Sequence, residues 1–223
     1  MRRMCLTTQR RPVTVLNDIV NVSKNTGTIV LDWEKKRFPF KVEYAVNDIV
    51  LSNARNQLRN TAGFGWQGPL SAANYCVQNN INHEEALVWV DRALANNENF
   101  NGYFVKAGLL KQIDKGDEAT EMYDKAAQLA NVGQLNFMGY QLMGRKENEK
   151  ALEYFKLNVE KHPENANCHD SLGECYKTMG ENKLAIKSFE KSLSMEPAAN
   201  VKSNSIKNLK ELGVNTTKYE GGE

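Results

Sequence analysis

The chain is short of nearly every feature that marks chemistry or transport. No apolar run in its 223 residues approaches the 18 or more that a membrane-spanning helix needs. The opening MRRMCLTTQRRP has the positive charge of a signal peptide but no apolar stretch behind it, so no export signal is read in the chain as given and the cytoplasm is the expected compartment. Cysteine is scarce: Cys5, Cys76, Cys168 and Cys175 are too few and too scattered for a disulfide framework. Cys168 and Cys175 fall two turns apart on one expected helix, roughly 10 Å along its axis, too far for a bridge. All four are expected reduced and buried or half-buried. There is no glycine-rich phosphate loop, nucleophile elbow or zinc-protease motif. Of the three histidines, His169 sits about 100° round the helix from Cys168, which leaves no metal-binding face. Ser171 beside it has no oxyanion site, and Asp170 lies at the wrong angle to orient a histidine. No catalysis, metal or cofactor is expected.

Charge is present but divided. Residues 1–45 hold nine Lys and Arg against four Asp and Glu, a net of +5, and the rest of the chain holds 20 against 23, a net of −3. A basic end attracts nucleic acid or anionic surfaces, but Arg2, Arg3, Arg10 and Arg11 fall in an end expected to be disordered and Lys35-Lys36-Arg37 reads as a hairpin turn. Nucleic acid is therefore not an expected partner. Four glutamates between Glu147 and Glu160, interleaved with lysines, read as a solvated helix face.

What the chain has in quantity is repetition. From Ala166 to Pro197, Leu172, Cys175, Tyr176 and Met179 recur at three- and four-residue steps, and Leu184, Ala185, Ile186, Phe189 and Leu193 do the same after a turn at Gly180. That is an antiparallel helical hairpin, with Gly173 and Ala185 small where the helices meet and Pro197 closing the second helix. One constant step earlier in the chain, Pro163 answers Pro197, Phe155 answers Phe189, Ala151 answers Ala185 and Gly139 answers Gly173. Looser copies carry Ala107, Leu110, Gly116, Ala119, Tyr123 and Ala126, and before them Ala73, Val77, Ala86, Val90 and Ala93. Their steps are shorter: Ala119 to Ala151 falls two short of the full repeat, and Ala86 to Ala119 falls one short. The spacing Leu172-Gly173, Tyr176, Gly180, Ala185, Phe189, Pro197 resembles the tetratricopeptide repeat (TPR), a helical hairpin of about 34 residues. The expected fold is mainly α: a TPR solenoid of about four hairpins with capping helices and a small N-terminal antiparallel β segment.

Residues 13–44 read as strand. Val13–Leu16, Ile19–Val22, Thr28–Trp33 and Arg37–Tyr44 are rich in β-branched and aromatic residues, with Phe38, Phe40, Val42 and Tyr44 alternating against polar neighbours. Turns are expected at Asn25-Thr26-Gly27 and Glu34-Lys35-Lys36, giving an antiparallel meander of about three strands that needs a further covering partner. LDWEKKRFPFKVEY, the helix DIVLSNARNQLRN and the GFGWQGPLSAANYC segment resemble the C-terminal half of the bacterial family catalogued as domain of unknown function 2911, over residues 13–215. The resemblance implies a larger N-terminal β domain, with this chain truncated or mis-started, and a periplasmic or exported protein of unassigned activity.

The expected organisation is a disordered 1–12, a β segment over 13–45, a helix and solenoid with a C-terminal cap over 46–215, and a disordered tail over 216–223. The helix at 46–60 is expected to be capped by Asn47 or Asp48, with Ile49, Val50, Ala54 and Leu58 on one face covering the first hairpin. In the glycine-rich loop that follows, Trp66 is expected to anchor the loop rather than stack on a ligand. Asn82 and Glu85 have capping-box spacing. Val201, Ile206, Leu209 and Leu212 form the closing helix.

Function is expected on the surface the repeats create. The TPR resemblance implies that the first helix of each hairpin lines a concave groove. That places Ser71, Tyr75, Gln78 and Asn79, then Asn101, Phe104, Lys111 and Gln112, then Asn136, Tyr140 and Met143, then Asn167, Asp170, Glu174 and Lys177 along it. Amides and aromatics there suit an extended peptide of a partner protein. The clamp with which some members grip a chaperone's C-terminus is missing, because its first-repeat positions read Ser71 and Tyr75. Two other readings remain. One is a small-molecule or glycan-binding, or catalytic, β domain recognisable by a polar cleft beside Trp33; the other is self-association through the β edge.

Overall fold

The computed structural model describes residues 15–33 and 36–220. Residues 1–14, Cys5 among them, together with Glu34, Lys35, the side chains of residues 15–17 and of Trp33, and residues 221–223, lie outside that description. The chain divides into two compact units, Met1–Gly68 and Pro69–Glu223. The helix after the strands falls in the first of these units. No helix among the described residues is long and apolar enough to cross a membrane.

In the first unit β1 (Val15–Val20), β2 (Thr26–Trp33) and β3 (Lys36–Glu43) make an antiparallel sheet in the order β1-β2-β3. Ile19 lies opposite Ile29, Ile29 opposite Phe40, and Leu31 opposite Phe38. Directly opposed residues project to the same side of a sheet, so these residues and Val42 share one apolar face. It is largely open, with Ile19 66% and Phe40 55% exposed, whereas Val30, on the other face, is buried. The first turn falls earlier than expected. Thr26 and Gly27 are inside β2, and the reversal is made by residues 21–25, where Asn21 takes a left-handed φ of 53° and the Ser23 hydroxyl meets that of Thr26 at 2.7 Å. The two expected runs before it merge into the single strand β1. Helix α1 (Val46–Gln57) begins at Ala45 without a side-chain cap, with Asp48 inside its first turn, so neither Asn47 nor Asp48 is the cap. Its buried positions are Leu51 and, just beyond its end, Leu58, while Ile49 is 53% exposed.

The second unit is a run of helical hairpins: α2 (Gln67–Asn79) with α3 (His83–Asn96), α4 (Phe100–Gln112) with α5 (Gly116–Leu129), α6 (Val132–Gly144) with α7 (Asn148–Lys161), and α8 (Ala166–Thr178) with α9 (Asn182–Leu193). The offset between the two helix starts is identical in all four, from Gln67 to His83, Phe100 to Gly116, Val132 to Asn148 and Ala166 to Asn182; only the connectors between hairpins vary. The shortened step from Ala119 to Ala151 has its cause there: residues 130–131 join α5 to α6, where residues 162–165 join α7 to α8. Asn131 compensates for the short connector with a reciprocal capping box to Gln134, at 2.9 and 3.0 Å. Asn82 and Glu85 do not form such a box; the amide of Asn82 donates to the Glu85 carboxylate instead, at 2.8 Å.

Within the last two hairpins one contact recurs. A Cβ built on Gly139 would lie 2.5–2.8 Å from ring atoms of Phe155, and one on Gly173 would lie 2.7–2.9 Å from ring atoms of Phe189. Each glycine is thus a notch that holds the phenylalanine at the equivalent place in the second helix, and both rings are fully buried. The tips turn through left-handed residues at matching positions: Asp114 (φ 60°), Lys146 (φ 64°) and Gly180 (φ 80°). Leu184, expected in the apolar stripe of α9, is 43% exposed; the buried set there is Ala185, Ser188, Phe189, Ser192 and Leu193.

Helix α10 (Ala199–Glu211) closes the array. Leu209 packs with Phe189 and Leu193 of α9, joined by Ile206 and Leu212. Against α8 its contacts are polar: Ser205 and Asn204 donate to Asp170, the latter at 2.7 Å, Asn204 also reaches Glu174 at 2.6 Å, and Lys177 donates to Asn208 at 2.8 Å and to Glu211. The tail expected to be disordered carries a helical turn, α11 (Thr217–Glu220). Tyr219 packs on the closing cluster and Glu220 pairs with Lys210 at 2.8 Å, which fixes the segment.

Urea unfolding reads three consequences of this packing. Gly139→Ala and Gly173→Ala should each cost roughly 1–3 kcal/mol, because a buried ring must move, and this exceeds the helix-propensity gain of about 1 kcal/mol. Gly144→Ala, with open space around its Cβ position, should instead be neutral or stabilising. Lys146→Gly should add about 0.5–1 kcal/mol by relieving a left-handed lysine. Burial holds the Asp170 carboxyl above the ordinary aspartate range despite the donors from Ser205 and Asn204, and Glu174 raises it further. A raised folded-state value makes the ionised form a destabilising element at neutral pH, relieved as pH falls through that value toward the unfolded one near 4. Asp170→Asn should therefore compare better with the parent at pH 7 than at pH 4.5; a pH-independent difference would refute this.

Candidate functional site

The first helices α2, α4, α6, α8 and α10 line one face of the second unit, and the residues expected to form a groove divide along it. In the last hairpin Asp170, Glu174 and Lys177 are all engaged by α10, and Asp170 is buried. A partner would have to displace those contacts. Asn136 accepts from the fully buried Asn158 amide at 2.9 Å, so it is held by its own hairpin. Asn79 donates to the Tyr75 carbonyl one turn back at 2.8 Å; Gln78 is exposed and Tyr75 half-buried. Gln112 reaches back to the Val77 carbonyl at 2.8 Å and ties the second hairpin to the first.

The middle of the face is aromatic. Phe104 is half-buried, with ring centroids 5.5 Å from Phe100, 5.5 Å from Tyr123 and 5.7 Å from Phe137 of the next hairpin. Phe137 is 48% exposed and was not singled out from sequence; it follows Asn136 in the same helix. One turn on, Tyr140 is 40% exposed and stands edge-on to Phe155 at 5.1 Å. The Tyr140 hydroxyl bridges Ser171 at 3.0 Å and Glu174 at 2.8 Å. Burial, reinforced by the Glu174 and Asp170 carboxylates, pushes that hydroxyl well above the ordinary tyrosine range, so it is a hydrogen-bonding group and not a base near neutral pH. The row from Phe100 to Tyr140 thus runs directly into the polar contacts that dock α10.

Beside the row lies a cavity of about 290 Å³ between the second and third hairpins. Phe104, Tyr123, Tyr154, Met138 and Leu142 supply its apolar lining, and Lys111, Arg145, Lys150, Asp117 and Glu147 its charges. Lys111 approaches Glu147 at 3.5 Å, and Lys150 is held by Asp124 at 3.0 Å and Glu153 at 2.7 Å. Burial raises the Tyr123 hydroxyl, against the opposing charge and hydrogen bond of Arg145. Of its lining only Phe104 and Lys111 had been expected to be functional. The sequence did carry a signal, since the shortened repeat step falls at this junction.

Cys168, Cys175 and His169 of the last hairpin lie buried. Burial raises the Cys168 and Cys175 thiols to about 11, leaving them protonated at neutral pH. His169 is buried with its Nε2 donating to the Pro163 carbonyl at 2.8 Å. Among the described residues no group of three or more His, Cys, Asp or Glu is placed to hold a metal ion.

Residues 166–198 match the tetratricopeptide repeat family model. No curated protein matches the chain. Among solved structures, it is similar to YrrB, described as a TPR protein with an unusual peptide-binding site, at 19% identity over 76% of this chain and 86% of that one, with a TM-score of 0.42. It is also similar to PilF of Pseudomonas aeruginosa, at 22% identity, 68% and 71% coverage and TM-score 0.43, and to MamA of Desulfovibrio magneticus RS-1, at 16% identity, 77% and 90% coverage and TM-score 0.43. The second unit is a TPR-type helical solenoid preceded by a three-stranded antiparallel sheet, and a solenoid of this kind suggests protein–protein interaction.

Proposed function

We propose that the chain is a non-enzymatic interaction protein that receives an extended peptide of a partner on the first-helix face, across its first three hairpins. The observation that supports this is the aromatic row Phe104, Phe137 and Tyr140, two of whose rings stand 48% and 40% exposed on helices otherwise packed into the array. Exposed rings held in place by neighbours are the residues that dominate binding energy at interfaces, because they bring apolar area without much entropy to lose. Gln78 and Lys111, both exposed, supply polar groups for a peptide backbone. The fourth hairpin is excluded from the site because α10 already satisfies Asp170, Glu174 and Lys177.

The alternative reading, a small-molecule or glycan site on the β segment, looked for a polar cleft. Phe38, Phe40 and Val42 instead present an apolar surface, which supports packing against another surface, including self-association. The family implied by the LDWEKKRFPFKVEY resemblance remains the motive for testing a longer β domain.

Selection from a displayed random-peptide library against the full chain tests the proposal. Selected peptides should lose at least tenfold in affinity with Phe137→Ala and with Phe104→Ala, and be unaffected by Val88→Ala, an exposed apolar residue on a second helix. Peptides insensitive to both aromatic substitutions would place the site elsewhere.

A further inference from the structure

We infer that the cavity between the second and third hairpins is an anchor pocket for an aromatic side chain of the partner with a carboxylate beside it. The inference rests on the peptide-binding reading above and names what the peptide must carry.

Size comes first. Pockets for whole drug-sized ligands run from roughly 300 to 1,000 Å³, and this one, at about 290 Å³, holds a single ring system. Its walls suit one: Phe104, Tyr123 and Tyr154 line it with aromatic rings, and Met138 and Leu142 add to the apolar lining.

The gap also has a structural origin. In the third and fourth hairpins a glycine notch takes the aromatic ring from the equivalent place in the second helix. At the matching position of the second hairpin stands Ala107, which brings a Cβ where the others have none, and the ring of Tyr123 packs on the cluster of Ala107, Leu110, Ala119 and Met122 and lines the cavity. The short connector at 130–131 places this junction out of step with the next.

The charge preference comes from Arg145. Lys111 has Glu147, and Lys150 has Asp124 and Glu153. Arg145 lines the cavity together with Tyr123, and the planar fork of five N–H donors on a guanidinium suits a carboxylate. Asp117, the opposing charge on the lining, stands in the first turn of α5, where the helix dipole stabilises it.

The test is a titration of the isotope-labelled full chain, followed by amide NMR, with three probes: N-acetyl-tryptophan, N-acetyl-tryptophanamide and tryptamine. The anionic probe should bind most tightly and shift the amides of Ala119, Thr120 and Leu142. Arg145→Gln should weaken it roughly tenfold, the worth of a charge-assisted hydrogen bond, and leave the neutral amide probe unchanged. Thr120→Trp, at an exposed position on the lining, should fill the pocket and abolish binding of all three in a chain whose spectrum remains folded. Absence of shifts at millimolar probe, shifts confined to other residues, or preference for tryptamine would each overturn the inference. If library peptides depend on Phe137 while the probes do not enter the cavity, the pocket fails and the peptide reading stands. If the probes bind here and no peptide depends on Phe104 or Phe137, the peptide reading fails and the pocket is a small-molecule site.

Discussion

Two helices of a hairpin can approach only as closely as the side chains between them allow, and in the last two hairpins that approach is set by a hydrogen atom. Gly139 and Gly173 leave room for a phenylalanine ring at a distance no Cβ tolerates. Each ring is fully buried, which stabilises by about 2–3 kcal/mol relative to exposure. The glycine lies at the same place in the first helix as the phenylalanine in the second, so the contact locks these two hairpins at the offset that all four share. All variation in repeat length is then pushed into the connectors. The solenoid is a stack of rigid hairpins with adjustable joints.

That division explains where the unusual features gather. Where Ala107 stands in place of the notch glycine, the ring of Tyr123 packs on the Ala107 cluster and lines the cavity. The same junction has the shortest connector and presents the aromatic row across two hairpins. Loss of one internal contact thus leaves side chains available for an external one.

Much of this was legible in sequence because the rule is written in small residues at fixed spacing. Gly139, Gly173, Phe155 and Phe189 are visible as an echo one repeat apart, and the alternation from Phe38 to Val42 gives a strand without ambiguity. What failed were positions decided by local hydrogen bonds. The first β-turn lies at Asn21–Asn25 because Asn21 accepts a left-handed conformation and Ser23 closes onto Thr26, while Gly27 draws the eye too far along the chain. The cap expected at Asn82 became a side-chain pair because that residue is itself left-handed. Groove residues transferred by position raise a different point, since Asp170, Glu174 and Lys177 are engaged by α10. Position says which way a side chain points, not whether the next helix has already met it.

The fate of Asp170, Glu174 and Lys177 carries this further. A capping helix has to cover the last apolar stripe, and α10 does so through Leu209 against α9. An apolar cap alone would fix depth but not register. Along α8 the docking is instead a set of directional bonds from Asn204, Ser205, Asn208 and Glu211. These four stand one full repeat after Asp170, Ser171, Glu174 and Lys177 of α8, each in the place the next repeat would require. The last helix therefore stands as one more first helix beside its neighbour, and the bonds that specify its register engage Asp170, Glu174 and Lys177. The face is thereby divided by chemistry: polar groups satisfied inside the chain at the C-terminal end, and rings with nothing comparable to cover them in the middle.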